Sequence, residues 1–197
     1  IEEADGQEQL VPIEETIPVF HNVYDPEDLV IPSEGNEAIH GSKTLEGRNS
    51  LDGESFTFTL TAANEAAQTA LANDWIVFEG DVDKTDMTAE VTGIEKGIST
   101  RFDFGEVKIT RPGSYQFNVI ENAPANGNGM VYDRHTALVT ITVKDNNGKL
   151  EGTVVYNNGQ GAPTTEAAFT NTYTASTIYG DGAALNLSKT LNGRNQA

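Results

Sequence analysis

The chain has 197 residues, of which 37% are hydrophobic, a formal net charge of −18, and no cysteine. That charge argues against nucleic acid or an anionic membrane surface as the main partner, and the missing cysteines exclude disulfides and thiolate metal sites. The length suits one ordinary domain plus flanking pieces, and no apolar run approaches transmembrane length, so no membrane insertion is expected.

The chain starts Ile1-Glu2-Glu3-Ala4, which reads as an internal piece of a longer protein. Residues 1–37 are acidic, carry Pro12, Pro18, Pro26 and Pro32, and read mostly as linker. One stretch does not. Phe20-His21-Asn22-Val23-Tyr24 has Phe, Asn and Tyr at the same relative positions as Phe169-Thr170-Asn171-Thr172-Tyr173. Next, Ser42-Lys43-Thr44-Leu45-Glu46-Gly47-Arg48-Asn49 recurs from Ser188 to Asn195 with seven of eight residues identical. The Asn22–Asn171 spacing is 149 and the Lys43–Lys189 spacing is 146. Two independent markers with nearly one period predict tandem domains of about 150 residues. Residues 1–35 then hold the last strand of a preceding repeat and a linker, 36–176 a complete domain, and 177–197 a linker and the first strand of the next repeat.

Within 36–176 the elements read mostly as strands. Residues 39–45 alternate, with Ile39, Lys43 and Leu45 on one face. Residues 55–61 turn Phe56, Phe58 and Leu60 inward. Residues 62–73 are alanine-rich and predict a short connecting helix. Residues 75–78 are apolar and expected to be buried. Residues 81–100 are polar and glycine-punctuated, which predicts a surface excursion. Residues 101–109 alternate, with a shift near Gly105 that predicts a bulge. Arg111-Pro112-Gly113 predicts a turn. Residues 115–121 place Tyr115, Phe117, Val119 and Glu121 on one face. Residues 122–129 predict a loop, 137–144 a strand, Asn146-Asn147-Gly148 a hairpin turn, 149–156 its return strand, and 169–173 the closing strand. Short strands at regular turns predict an all-β antiparallel β-sandwich.

Three residues break the alternation: Lys43, Glu121 and Asn171 each stand where a hydrophobe is expected. A buried amide needs partners, and these three can supply one another with both partners and chemistry. Burial lowers a lysine pKa and raises a glutamate pKa. A neutral Lys43 amine is a nucleophile, the Asn171 carboxamide an electrophile, and Glu121 an acid/base that bonds the amide oxygen and relays protons to leaving ammonia. The expected product is an intramolecular Lys43–Asn171 isopeptide bond, a single-turnover self-modification rather than enzyme activity. The structural alternative is a buried Lys–Glu ion pair.

The motifs Ser42-Lys43-Thr44-Leu45-Glu46-Gly47-Arg48, Glu54-Ser55-Phe56-Thr57-Phe58-Thr59-Leu60, Pro112-Gly113-Ser114-Tyr115 with Glu121, Tyr132-Asp133, and residues 169–173 resemble the streptococcal pilin isopeptide-linkage domain, among the wider CnaB-like domains of Gram-positive pili and adhesins. The resemblance covers nearly all of residues 36–176. It implies an immunoglobulin-like, CnaB-like sandwich serving as a stalk or backbone module of a pilus or fibrillar adhesin. It also implies an extracellular, wall-anchored setting and neighbouring repeats as partners, and it gives Lys43, Asn171 and Glu121 the roles of nucleophile, acceptor and acid/base. Asn22 and Lys189 are the equivalents in incomplete repeats and are expected to stay unlinked here. The sequence shows neither a sorting signal nor a polymerising lysine motif.

Other readings are weaker. A ligand-binding adhesin domain would use residues 81–100 or 122–129 for a host protein or glycan. A glycan-active enzyme would need paired carboxylates in a cleft. Asp81, Asp83 and Asp86 lack calcium-loop spacing, and His21, His40 and His135 lack zinc-ligand spacing. His135 lies near Asp133, but no nucleophile motif accompanies them. No metal and no cofactor are expected.

Overall fold

The computed structural model describes residues 24–125 and 127–174. Three sheets carry the described residues. The first is four-stranded, in the order β6 (Thr100–Asp103), β2 (His40–Glu46), β12 (Ala167–Tyr173), β9 (Met130–Val131). Facing it, the second runs β11 (Leu150–Asn157), β10 (Ala137–Asp145), β8 (Gly113–Glu121), β3 (Ser55–Ala62), β5 (Asp86–Thr92). The third is small: β1 (Leu29–Ile31), β7 (Val107–Ile109), β4 (Ile76–Phe78). This is the all-β sandwich that the alternation predicts.

The core lies between the two larger sheets. Phe58, Leu60, Phe117, Val119, Val139 and Ile141 come from one inner face; Leu45, Phe102 and Phe169 come from the other, and all are buried. Phe58 stacks on Phe102 across the gap, with centroids 3.9 Å apart, and meets Phe169 at 5.0 Å. These rings exclude water around the inward face of β2 and β12.

The short helix, α1 (Glu65–Ala72), forms where alanines accumulate. Asn64 caps it by accepting a bond from the Ala67 N–H at 2.9 Å, and the same oxygen accepts the Gln116 N–H. Ala67, Ala70 and Leu71 are its buried residues. The β10–β11 hairpin turns through Asn147 (φ 54°) and Gly148 (φ 95°). Two successive positive φ values are what a type I′ turn requires and what Asn-Gly tolerates.

The strand pairing departs from the predicted pattern at four places. First, β2 and β12 pair in parallel, from Ala167 opposite Gly41 to Thr172 opposite Glu46, whereas the other strand ladders are antiparallel. Two strands this far apart in the chain have no hairpin to force opposite directions.

Second, residues 81–100 are not a surface excursion. They contain β5, an edge strand on β3 with Met87, Ala89 and Val91 buried. Its other face is solvated, so the composition looks polar while the alternation is strict.

Third, residues 101–109 are not one bulged strand. The chain leaves the four-stranded sheet after β6 and enters the small sheet at β7. Gly105 sits at the crossing, where an added Cβ would meet the Glu79 carboxylate.

Fourth, residues that precede the predicted domain fold onto the body. The Tyr24 hydroxyl donates to Asp145 at 2.6 Å, the Glu27 N–H donates to the Gly148 carbonyl at 2.8 Å, and β1 pairs with β7. Three residues are too short to display a period, so β1 has no sequence signature.

Gly41 sets how closely β2 and β12 approach. A Cβ there would lie 2.4 Å from the Ala167 carbonyl oxygen and 2.3 Å from Cζ of Phe102. Backbone cannot yield as a flexible side chain can. Gly41→Ala is therefore expected to lose about 2–3 kcal/mol in urea unfolding. Wild-type stability in that variant would show that the strands can separate freely here.

Candidate functional site

Lys43, Glu121 and Asn171 come from three strands. Lys43 is mid-β2, on the inward face with Gly41 and Leu45. Asn171 is on β12, two residues from Phe169, which lies opposite Lys43 in the parallel register. Glu121 ends β8, and Phe58 of β3 is its cross-strand partner. The pleat turns all three inward. Lys43 and Asn171 are fully buried, and the Glu121 side chain is 1% exposed.

The carboxylate of Glu121 binds both others. Lys43 Nζ donates to Oε2 at 2.7 Å, and Asn171 Nδ2 donates to Oε1 at 2.6 Å. The far side of the amide is held as well: Asn171 Oδ1 accepts the main-chain N–H of Asp133 at 2.8 Å. A main-chain N–H can only donate, so the amide atom facing it is the oxygen, and the nitrogen faces Glu121. This corrects one expectation. Glu121 holds the amide nitrogen, and Asp133 holds the oxygen.

The surroundings are apolar. Lys43 Nζ lies 5.2 Å from the centroid of the Phe56 ring. Burial pushes the Lys43 ammonium below its ordinary value of 10.5, and the hydrogen bond and charge of Glu121, with the charge of Asp133, offset only part of that. The shift favours the neutral amine, the form that can attack a carbonyl.

The sequence marks Asp133 only in the Tyr132-Asp133 pair and as a neighbour of His135, without a role at this site. Its carboxylate accepts the N–H of Thr170 at 3.0 Å and of His135 at 3.2 Å, and it pairs with the His135 ring at 2.6 Å. Burial alone would push the Asp133 carboxyl up, but these bonds outweigh it and hold it below its ordinary value of 3.8. His135 in turn stacks on Phe169, centroids 4.5 Å apart. Asp133 and His135 thus form a tight turn against β12. No alternation signals such a contact, because it is made by a main-chain N–H in a loop.

Of the remaining candidates, the described ones, His40 and Asp81, Asp83 and Asp86, do not join the site, and His21 lies outside the described residues. Asn22 and Lys189 lie outside the described residues. His40 bonds the Ala38 carbonyl at 2.8 Å, far along the chain from His135. Asp81 accepts the N–H of Asp83 within its own turn. Among the described residues no group of three or more His, Asp or Glu could hold a metal ion, and no helix is long and apolar enough to cross a membrane.

The family described as FctA, Spy0128-like isopeptide containing domain, matches residues 39–174. Among solved structures, the major pilin from Streptococcus pyogenes is similar at a TM-score of 0.45 and 21% identity, over 68% of this chain and 50% of that one. The T-13 major pilin from Streptococcus pyogenes is similar at 0.44 and 17%, over 73% of this chain and 53% of that one. The chain therefore spans about half the length of these pilins. No curated protein matches it.

Proposed function

We propose a function from one premise: the chain belongs to the FctA family of Spy0128-like isopeptide containing domains. It is a family of structural, pilin-like domains and not of enzymes. The reading is that residues 36–176 form a stalk module of a bacterial surface pilus or fibrillar adhesin, locked by a self-made Lys43–Asn171 bond. The observation that carries it is the buried Lys43–Glu121–Asn171 arrangement, in which one carboxylate touches the nucleophile and the leaving nitrogen together.

The reaction follows from those contacts. Glu121 takes a proton from the Lys43 ammonium. The neutral Nζ attacks Cγ of Asn171, and a C–N bond forms. Glu121 passes its proton to Nδ2 and then receives one from the attacking nitrogen. The electron pair on Oδ1 re-forms the C=O bond as the Cγ–Nδ2 bond breaks, and the departing ammonia takes the proton back from Glu121 and leaves as ammonium. Lysine ammonium plus carboxamide has become a secondary amide plus ammonium, with Glu121 restored. Holding the groups in contact replaces about 7–11 kcal/mol of barrier. The aromatic shell keeps water from competing.

The bond would close a loop of 127 intervening residues. On the chain-entropy model such a loop stabilises by roughly 5 kcal/mol. It would also carry tension from the first strand of the repeat to the last. On this reading the partners are neighbouring repeats of the same chain, with Asn22 and Lys189 serving the repeats on either side. The setting is the outside of a bacterial cell.

Intact mass tests the reading. Wild type is expected about 17 Da below its sequence mass, because one ammonia is lost. Glu121→Ala is expected at full mass. Full mass in the wild type would leave Lys43 and Glu121 as a buried ion pair and bring the ligand-binding adhesin reading forward.

A further inference from the structure

We propose that the main-chain N–H of Asp133 is the oxyanion donor of the cross-linking step, and that the Asp133 carboxylate positions it. The inference rests on the cross-linking reading and adds a group that Lys43, Glu121 and Asn171 do not supply. When Nζ attacks, an electron pair moves from the C=O bond of Asn171 onto Oδ1. That oxygen carries the negative charge until the Cγ–Nδ2 bond breaks and the pair returns. Glu121 cannot stabilise it, because both carboxylate oxygens face nitrogens. The Asp133 N–H can: it stands 2.8 Å from Oδ1, within the range of effective oxyanion donors.

The donor is also fixed in place. One oxygen of Asp133 accepts the N–H of Thr170, the residue directly before Asn171. The other accepts the His135 N–H and ring, and that ring lies on Phe169, two residues before Asn171. The turn holding the donor is therefore tied to the same strand as the acceptor. Donor and oxyanion move together, and no reorganisation is needed when charge develops. Phe169 and Thr170 flank the acceptor on its N-terminal side, so the clamp grips the half of β12 that leads into Asn171.

The N–H can be removed alone. Cell-free synthesis of the full chain with the α-hydroxy analogue of aspartate at 133 replaces that amide by an ester and keeps the carboxylate. Samples quenched over time report the linked fraction by mass. Linking is expected to slow about a hundredfold. The same ester in a Lys43→Met background, which cannot link, should retain cooperative unfolding, separating a loss of rate from a loss of fold. If the ester chain does not fold, the carboxylate decides instead. Asp133→Ala keeps the N–H but loses both anchors and should slow on the order of tenfold, with Asp133→Asn recovering part of the rate. Wild-type rates in the ester chain, or in Asp133→Ala, overturn the proposal if wild type links and Glu121→Ala does not. A wild type that never loses ammonia overturns the cross-linking reading itself.

Discussion

Pulled from its two ends, the wild-type chain is expected to release almost no length from residues 43–171, whereas Glu121→Ala should release about 400 Å from the same segment. The parallel pairing of β2 and β12 makes the contrast sharp. In a parallel pair, tension entering at the start of one strand and leaving at the end of the other shears the ladder. Here that ladder runs from Ala167–Gly41 to Thr172–Glu46, and the proposed bond joins its middle. Force would then pass from Lys43 directly into Asn171, and every strand from β3 to β11 would lie outside its path. β1 would not be protected. It precedes Lys43, and only three residues hold it to β7. A first small step, on the order of 30 Å, is expected in both proteins as Tyr24 to Ile31 peel away. Single-molecule force spectroscopy reads both steps. A wild type that extends as far as Glu121→Ala carries no covalent shunt.

Much of this arrangement is legible in the sequence, for a definite physical reason. Strand alternation places Lys43, Glu121 and Asn171 on inward faces without any knowledge of pairing, because the period is local. The same rule reads Phe56, Phe58, Leu60, Phe117 and Val119 as core, and all are buried. What the period does not encode is which strands are neighbours and in which direction. The parallel β2–β12 pair and the switch of sheet between β6 and β7 are therefore invisible in the pattern, and β1 is too short to have one. β5 is a different case. Its burial alternates cleanly through Met87, Ala89 and Val91, but Asp86, Thr88, Glu90 and Thr92 dominate the composition and disguise it. At the site, the side chains could be read and the main-chain donor could not. The Asp133 N–H belongs to a loop, and only the fold brings it to Asn171 Oδ1. Its position also decides the orientation of the amide, and hence that Glu121 faces the nitrogen rather than the oxygen.

Glu121→Ala is expected to be less stable than the uncharged double variant Lys43→Met/Glu121→Gln, although neither can form the bond. Both lose the loop closure. Only Glu121→Ala leaves an amine with no carboxylate in contact, fully buried against Phe56. Removing one member of a buried pair costs about 3–5 kcal/mol, whereas replacing the pair with groups of similar volume is often close to neutral. The difference should depend on pH, with a definite sign. In the wild type, burial already outweighs the bond and charge of Glu121 and the charge of Asp133, and holds Lys43 below 10.5. Without Glu121, only the charge of Asp133 opposes burial, so the lysine falls further. Between that lowered value and 10.5 the unfolded chain binds more protons than the folded one. Stability of Glu121→Ala therefore rises with pH through this window, as the folded lysine sheds the charge it cannot solvate. Below the window both states carry the proton and the deficit is constant. The double variant has no lysine at this position, so its curve should lack the rise. Urea unfolding of the two chains at neutral pH and at pH approaching 10.5 measures the difference. Parallel curves would mean that the Lys43 ammonium reaches water once Glu121 is gone. The dry environment invoked for its attack on Asn171 would then have to come from the linked state, not from the fold that precedes it.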